Sequence, residues 1–151
     1  MTKISLTQNK HALIDDSDVD MVGKYKWNYT SHGYAETRIE GKLVRMHRLI
    51  MSAPRGVLVD HINMNGIDNR KSNLRLCTKS ENMRNRNKTK LNTSGYKGVV
   101  WDKVNKKWRS QIRMDGKNYN IGRFLLKRDA VMAYNNKAKE FFGQFARLNN
   151  I

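Results

Sequence analysis

The segment Thr78-Lys79-Ser80-Glu81 gives this chain its firmest structural instruction. A threonine followed three residues later by a glutamate is a capping box, in which each side chain satisfies a backbone N–H left open at a helix start. It predicts a helix from Lys79 that carries Asn82 and Arg86 on one face, a turn apart. Just upstream, Asn73-Leu74-Arg75-Leu76-Cys77 alternates polar and apolar residues, as a half-buried strand does. Residues 63–72 are rich in Asn, Gly and Asp, a turn composition. The apolar run Val57-Leu58-Val59 ahead of them leads as a short strand into Asp60-His61. Local signals alone thus order strand, loop, strand and helix.

The remaining elements fall on either side of this core. Residues 3–6, 11–14, 26–29, 34–39 and 42–45 read as strands, with a hairpin turn at Glu40-Gly41-Lys42. Residues 15–22 and 46–51 read as short helices, the second stopped near Pro54. Beyond a polar, basic link at residues 88–94, a second module starts at Gly95. It contains strand-like runs at 97–101, 107–114 and 117–121, the last two joined by Asp115-Gly116, a strong hairpin signal. A helix over 128–142, closed by Gly143, places Ala130, Ala133, Tyr134, Ala138 and Phe141 at helical spacing. The expected class is α+β: an N-terminal module over 1–87, the linker, and three antiparallel strands packed on one helix over 95–151.

Thirty Lys and Arg against thirteen Asp and Glu give a formal charge of +17, which points to a polyanion partner. The single cysteine, Cys77, excludes an internal disulfide and a cysteine zinc cage. Residues 1–11 lack the apolar run of a signal peptide, and no stretch approaches the ~20 apolar residues of a membrane span. A cytoplasmic protein with no membrane partner is expected.

Phosphodiester hydrolysis needs a base for water, positive charge at the phosphate and stabilisation of the leaving oxygen. Asp60 offers a hard oxygen ligand and His61 a group that titrates near neutral pH. In a regular strand these neighbours point to opposite faces, so a strand end or bulge is needed to bring both to one site. Taken alone, the pair fits a structural role as well as a catalytic one.

The run Val59-Asp60-His61-Ile62, then Asp68-Asn69-Arg70-Lys71-Ser72-Asn73-Leu74-Arg75, then Asn82, resembles the ββα-metal motif of HNH endonucleases, also called the His-Me finger. The gaps of twelve residues from His61 to Asn73 and nine from Asn73 to Asn82 fit the phage and intron-encoded homing branch. Met46-His47-Arg48-Leu49-Ile50 is similar to the leader segment of that branch. The resemblance implies that His61 is the general base, that Asn73 orients it, and that Asp60 and Asn82 hold one divalent ion, magnesium or manganese. Asn82 stands where many family members have His, which implies a hard ion rather than zinc. A packing or hydrogen-bonding role is expected for His47.

In the second module, alternation sets Trp108, Ser110 and Ile112 on one strand face and Arg109, Gln111 and Arg113 on the other. Arginine can pair bidentately with guanine and glutamine with adenine, and both reach phosphates. Tyr96-Lys97-Gly98-Val99, Trp108, Ile112-Arg113, Ile121-Gly122-Arg123-Phe124, Ala133-Tyr134 and Ala146-Arg147-Leu148-Asn149 resemble the Apetala-two (ethylene-response-factor) DNA-binding domain. That family lays a three-stranded sheet in the major groove, which implies groove contacts for Lys97, Gln111 and Arg113, with Trp101 as a further contact. Val100, Asn118 and Asn120 stand where plant members usually carry Arg or Trp, and Gln111 replaces an acid. The docking mode is therefore implied but the plant target sequence is not. Such domains also occur fused to HNH nucleases in phages and bacteria.

The expected function is a homing-type, site-specific endonuclease acting on double-stranded DNA as a monomer or homodimer. Arg84, Arg86, Lys88 and Lys90 are expected to track the backbone between the modules. The alternatives are a DNA-binding regulator with an inactive HNH core, and an RNA-binding protein, which would explain the charge but neither motif set.

Overall fold

A computed structural model describes residues 1–85 and 91–151. The chain divides into two compact units, Met1–Asn82 and Met83–Ile151. No helix among the described residues is long and apolar enough to cross a membrane.

The first unit opens with a hairpin of β1 (Thr2–Ser5) and β2 (His11–Ile14). A 3-10 turn at Asp16–Asp18 and α1 (Val19–Val22) replace the single helix expected over 15–22. The reason lies in the acids: Asp15 Oδ2 accepts from the Lys71 backbone N–H at 2.8 Å and Asp18 Oδ1 binds Lys71 Nζ at 2.6 Å. They tie a distant loop instead of only decorating a helix start. Trp27 is buried, with its indole N–H donating to Val22 O at 2.9 Å, so the polar end of a large apolar ring is satisfied.

Next comes a meander of β3 (Asn28–Tyr29), β4 (Ala35–Ile39) and β5 (Lys42–Arg45). Glu40 and Gly41 turn its second hairpin with positive φ at both positions, 50° and 75°, the twist that suits a two-residue loop. Helix α2 (Met46–Ile50) follows directly. Arg48 then staples residues 53–57, donating to the carbonyls of Val57, Ala53 and Pro54 at 2.6, 3.0 and 2.9 Å.

Strands β6 (Leu58–His61) and β7 (Leu74–Cys77) pair antiparallel, with Asp60 opposite Arg75 and His61 opposite Leu74. Helix α3 (Lys79–Arg84) starts from the capping box: Glu81 N–H reaches Thr78 Oγ1 at 3.2 Å, and Thr78 N–H reaches Glu81 Oε2 at 2.8 Å. The core beneath joins Ala12, Ile14, Val22, Trp27, Ala35, Met46, Ile50 and Leu74. It therefore draws on β2, α1, β4, α2 and β7.

The second unit holds a sheet of order β10-β9-β8, formed by β8 (Val99–Asp102), β9 (Lys107–Met114) and β10 (Lys117–Phe124). Asp115 and Gly116 make the β9–β10 turn with φ of 49° and 80°. Helix α4 (Lys127–Phe142) buries Ala130, Val131, Tyr134, Ala138 and Phe142 with Val99 and Ile112 of the sheet. The strand expected from Lys97 begins only at Val99, because Gly98 turns the chain at φ 74° with its Cα against the Tyr134 ring. Strand β10 runs past residue 121, with a register shift between Asn120 and Gly122. Asn149 stitches the last residues down: its side chain bonds both backbone groups of Lys97, at 2.7 and 3.0 Å, and its backbone bonds the Asn135 amide.

Candidate active site and nucleic-acid face

His61 is the last residue of β6, where strict alternation ceases to apply, and both His61 and Asp60 are buried at 5% and 7% exposure. Burial pushes the His61 imidazole below its ordinary value, opposed by its bond to Asn69 and by the charges of Asp60 and Asp68. The ring is thus predominantly neutral at about pH 7 and able to accept a proton. Its Nε2 lies 3.1 Å from Asn69 Oδ1. Asn69 in turn directs its Nδ2 to Met46 Sδ at 3.4 Å.

Two other rings enclose the imidazole. His47 of α2 meets it edge to face, with centroids 4.9 Å apart and planes at 88°. Tyr34 lies 5.8 Å from His61 and 5.5 Å from His47, under the Arg45 guanidinium at 5.0 Å. His47 is 4% exposed, and its Nδ1 is buried without a hydrogen-bond partner among the described residues. Burial, helped by the charges of His61, Arg45 and Arg48, pushes its pKa down to about 3. His47 is therefore a neutral packing partner of the site.

Asp60 is held by Arg75, its cross-strand partner, whose Nε and Nη2 both reach Oδ2, at 2.9 and 2.6 Å. Asn73, which the family resemblance assigns to orienting His61, acts on the loop. Its Nδ2 donates to Asn63 Oδ1 at 3.0 Å and Asp68 O at 2.7 Å, and its Oδ1 accepts from Asn63 N–H at 3.0 Å. Both amide hydrogens are thereby spent inside residues 63–73, and the contact at His61 Nε2 comes from Asn69. Composition marks that loop as a turn, but which of its several asparagines meets the ring depends on loop geometry.

Asn82 lies on α3, where its backbone N–H donates to Thr78 O at 3.0 Å, and its side-chain amide makes no hydrogen bond among the described residues. Asp60 and Asn82 together supply a carboxylate and an amide oxygen, donors that suit a hard divalent ion with positions left for phosphate and water. Among the described residues no group of three or more His, Cys, Asp or Glu is placed to hold a metal.

In the second unit, register places Arg109, Gln111 and Arg113 opposite Arg123, Asn120 and Asn118, on one polar sheet face. Gln111 and Arg113 side chains make no hydrogen bond among the described residues, and Arg109 Nε is buried without a partner there. Arg123 is paired with Asp102 at 2.9 Å. Trp101 stands elsewhere. It is opposite Trp108, on the helix-covered face, with ring centroids 5.0 Å apart, and it remains 44% exposed at the sheet edge. Lys97 precedes the sheet, and its Nζ donates to Arg84 O at 2.7 Å. Burial, with the charge of Arg147, pushes its pKa down to about 8. Arg84 lies 5.1 Å over the Phe142 ring and 3.6 Å from Asp115. Arg86, Lys88 and Lys90 lie outside the described residues.

Comparison with known proteins bears on the first unit most directly. The HNH endonuclease family matches residues 45–84, the stretch from the end of β5 to the end of α3. An uncharacterized HNH endonuclease of Acanthamoeba polyphaga mimivirus is 34% identical over 137 residues, covering 87% of this chain and 70% of its own length. Protein 3.8 of Escherichia phage T7 is 37% identical over 94 residues, covering 62% of this chain and 77% of its own. No solved structure matches significantly.

Proposed function

The chain belongs to the HNH endonuclease family, and we propose that it is a homing-type, site-specific nuclease that hydrolyses double-stranded DNA with a divalent ion. The observation that carries this reading is His61: a buried imidazole closing β6 beside a carboxylate fixed by Arg75. His61 takes a proton from water as the water oxygen bonds to phosphorus, and the bond from phosphorus to the 3′ oxygen breaks. The products are a 5′-phosphate and a 3′-hydroxyl, the leaving oxygen taking up a proton from solvent. Asp60 and Asn82 hold the ion, magnesium or manganese, which when bound supplies charge stabilisation to the phosphate and the leaving oxygen. Asn73 fixes the loop beside His61.

The second unit resembles an Apetala-two domain and lays its polar face on the duplex. Arg109, Gln111 and Arg113 supply base and phosphate contacts. Lys97, Arg84, Arg86, Lys88 and Lys90 add positive charge for the DNA backbone, and Trp101 borders the sheet. The enzyme works in the cytoplasm of a prokaryotic or phage-infected cell, as a monomer or a homodimer.

The test is competition binding with duplex DNA against structured RNA, followed by cleavage of the duplex with magnesium and with chelator. Preference for the duplex and chelator-sensitive cutting support the reading. Preference for RNA would transfer the basic surface to a different partner and overturn it.

A further inference from the structure

We propose that Asn69 is the positioning residue of the His61 imidazole: its amide oxygen takes the hydrogen on Nε2 and leaves the lone pair of the ring on Nδ1. The inference rests on the nuclease reading above and goes beyond it by naming the residue that fixes the tautomer.

The assignment follows from what surrounds the two ends of the amide. One end faces the Met46 thioether at 3.4 Å and the other faces His61 Nε2 at 3.1 Å. A thioether sulfur can only accept, so the amide nitrogen belongs on the sulfur side and the oxygen on the ring side. The oxygen can only accept as well, so Nε2 must donate. A neutral imidazole with its hydrogen on Nε2 carries its lone pair on Nδ1.

Asn69 is also held in place. It is 0% exposed, and its backbone N–H donates to Leu13 O at 2.8 Å. Leu13 N–H donates to Ile67 O, also at 2.8 Å, so β2 grips the loop on both sides of Asp68. Asp68 is locked by Arg70 through two bonds of 2.7 Å, and its carbonyl is held by Asn73. The amide therefore meets the ring already oriented, which is the requirement for a supporting group that sets tautomer and angle. This also gives the β1–β2 hairpin, remote in sequence from the motif, a part in the site.

The experiment uses the full chain labelled with 15N-histidine. A long-range 1H–15N spectrum at about pH 8, where imidazole is neutral, records which nitrogen of His61 bears hydrogen. The His61 signals are assigned by their loss in His61→Gln. Hydrogen on Nε2 is expected, and hydrogen on Nδ1 in the wild type overturns the proposal. Single-turnover cleavage then compares two variants. Asn69→Leu keeps the volume without the acceptor and is expected to lower the rate roughly 10- to 100-fold with KM within about twofold. Asn69→Asp keeps the acceptor and is expected to keep the Nε2–H signal and a rate nearer wild type. A packing role alone predicts the reverse order, with Leu tolerated and Asp damaging, and that order also overturns the proposal. If neither variant folds, the wild-type spectrum still decides. A wild type that cuts no DNA sinks the nuclease reading by itself and leaves the tautomer to the spectrum.

Discussion

Arg75 faces Asp60 across β6 and β7, and two of its guanidinium nitrogens converge on one carboxylate oxygen at 2.9 and 2.6 Å. Both side chains are about nine-tenths buried. Removing one partner of such a pair strands the other charge away from water, so Asp60→Ala is expected to cost about 3 kcal/mol of stability. Asp60→Asn, which keeps shape and an acceptor, is expected to cost less. Urea unfolding of both variants checks this, and equal midpoints for Asp60→Ala and wild type would show the pair to be energetically idle. The same measurement supplies the folding control for any cleavage assay on Asp60.

Asn73 makes three side-chain bonds within the loop that carries Asn69. Asn73→Ala leaves a buried carbonyl and a backbone N–H unpaired, so a loss of roughly 2–3 kcal/mol is expected. Hydrogen exchange should speed up first at the amide of Asn63, whose partner is gone. Unchanged exchange there would remove Asn73 from its loop-fixing role.

These two contacts mark where sequence reading reaches and where it ends. The capping box at Thr78 and Glu81 and the hairpin at Asp115-Gly116 are local chemistry, readable from a few residues, and both form as expected. The pairing of Asp60 with Arg75 depends on strand register across a twelve-residue loop, residues 62–73, and no short window contains it. The Asn69 contact needs β2 to anchor that loop from far upstream. Trp101 shows the same limit in the second unit. Alternation within β9 separates Trp108 from Arg109, but only cross-strand pairing shows that Trp101 shares the face of Trp108.

His47 makes a pH prediction. Its pKa is about 3 folded and about 6.5 unfolded, so the unfolded state binds the extra proton between those values. Stability is therefore unaffected above about pH 6.5 and falls as pH drops toward 3, by up to about 1.4 kcal/mol per pH unit from this group. His47→Phe removes that slope. Urea midpoints of wild type and variant at about pH 7 and pH 4.5 should diverge at the lower value, the wild type losing more. Parallel losses would contradict a neutral, buried His47.

The polar sheet face yields a salt prediction. If Arg113 neutralises one phosphate, Arg113→Gln lowers the log–log salt slope of duplex binding by about 0.9. Trp101→Ala, which removes packing against Trp108, should leave that slope unchanged while lowering the melting temperature. An unchanged slope for Arg113→Gln, with a reduced one for Trp101→Ala, would place the DNA on another face.

The role proposed for His61 is to take the proton of the water that hydrolyses DNA. The most direct test incubates a library of duplex DNA with wild type and His61→Ala, with and without magnesium, and follows both cleavage and binding. Magnesium-dependent cutting by the wild type is expected, lost in the variant while DNA binding remains. Tight binding without cutting by the wild type, across several divalent ions, would contradict it and make the chain a DNA-binding regulator with an inactive HNH core.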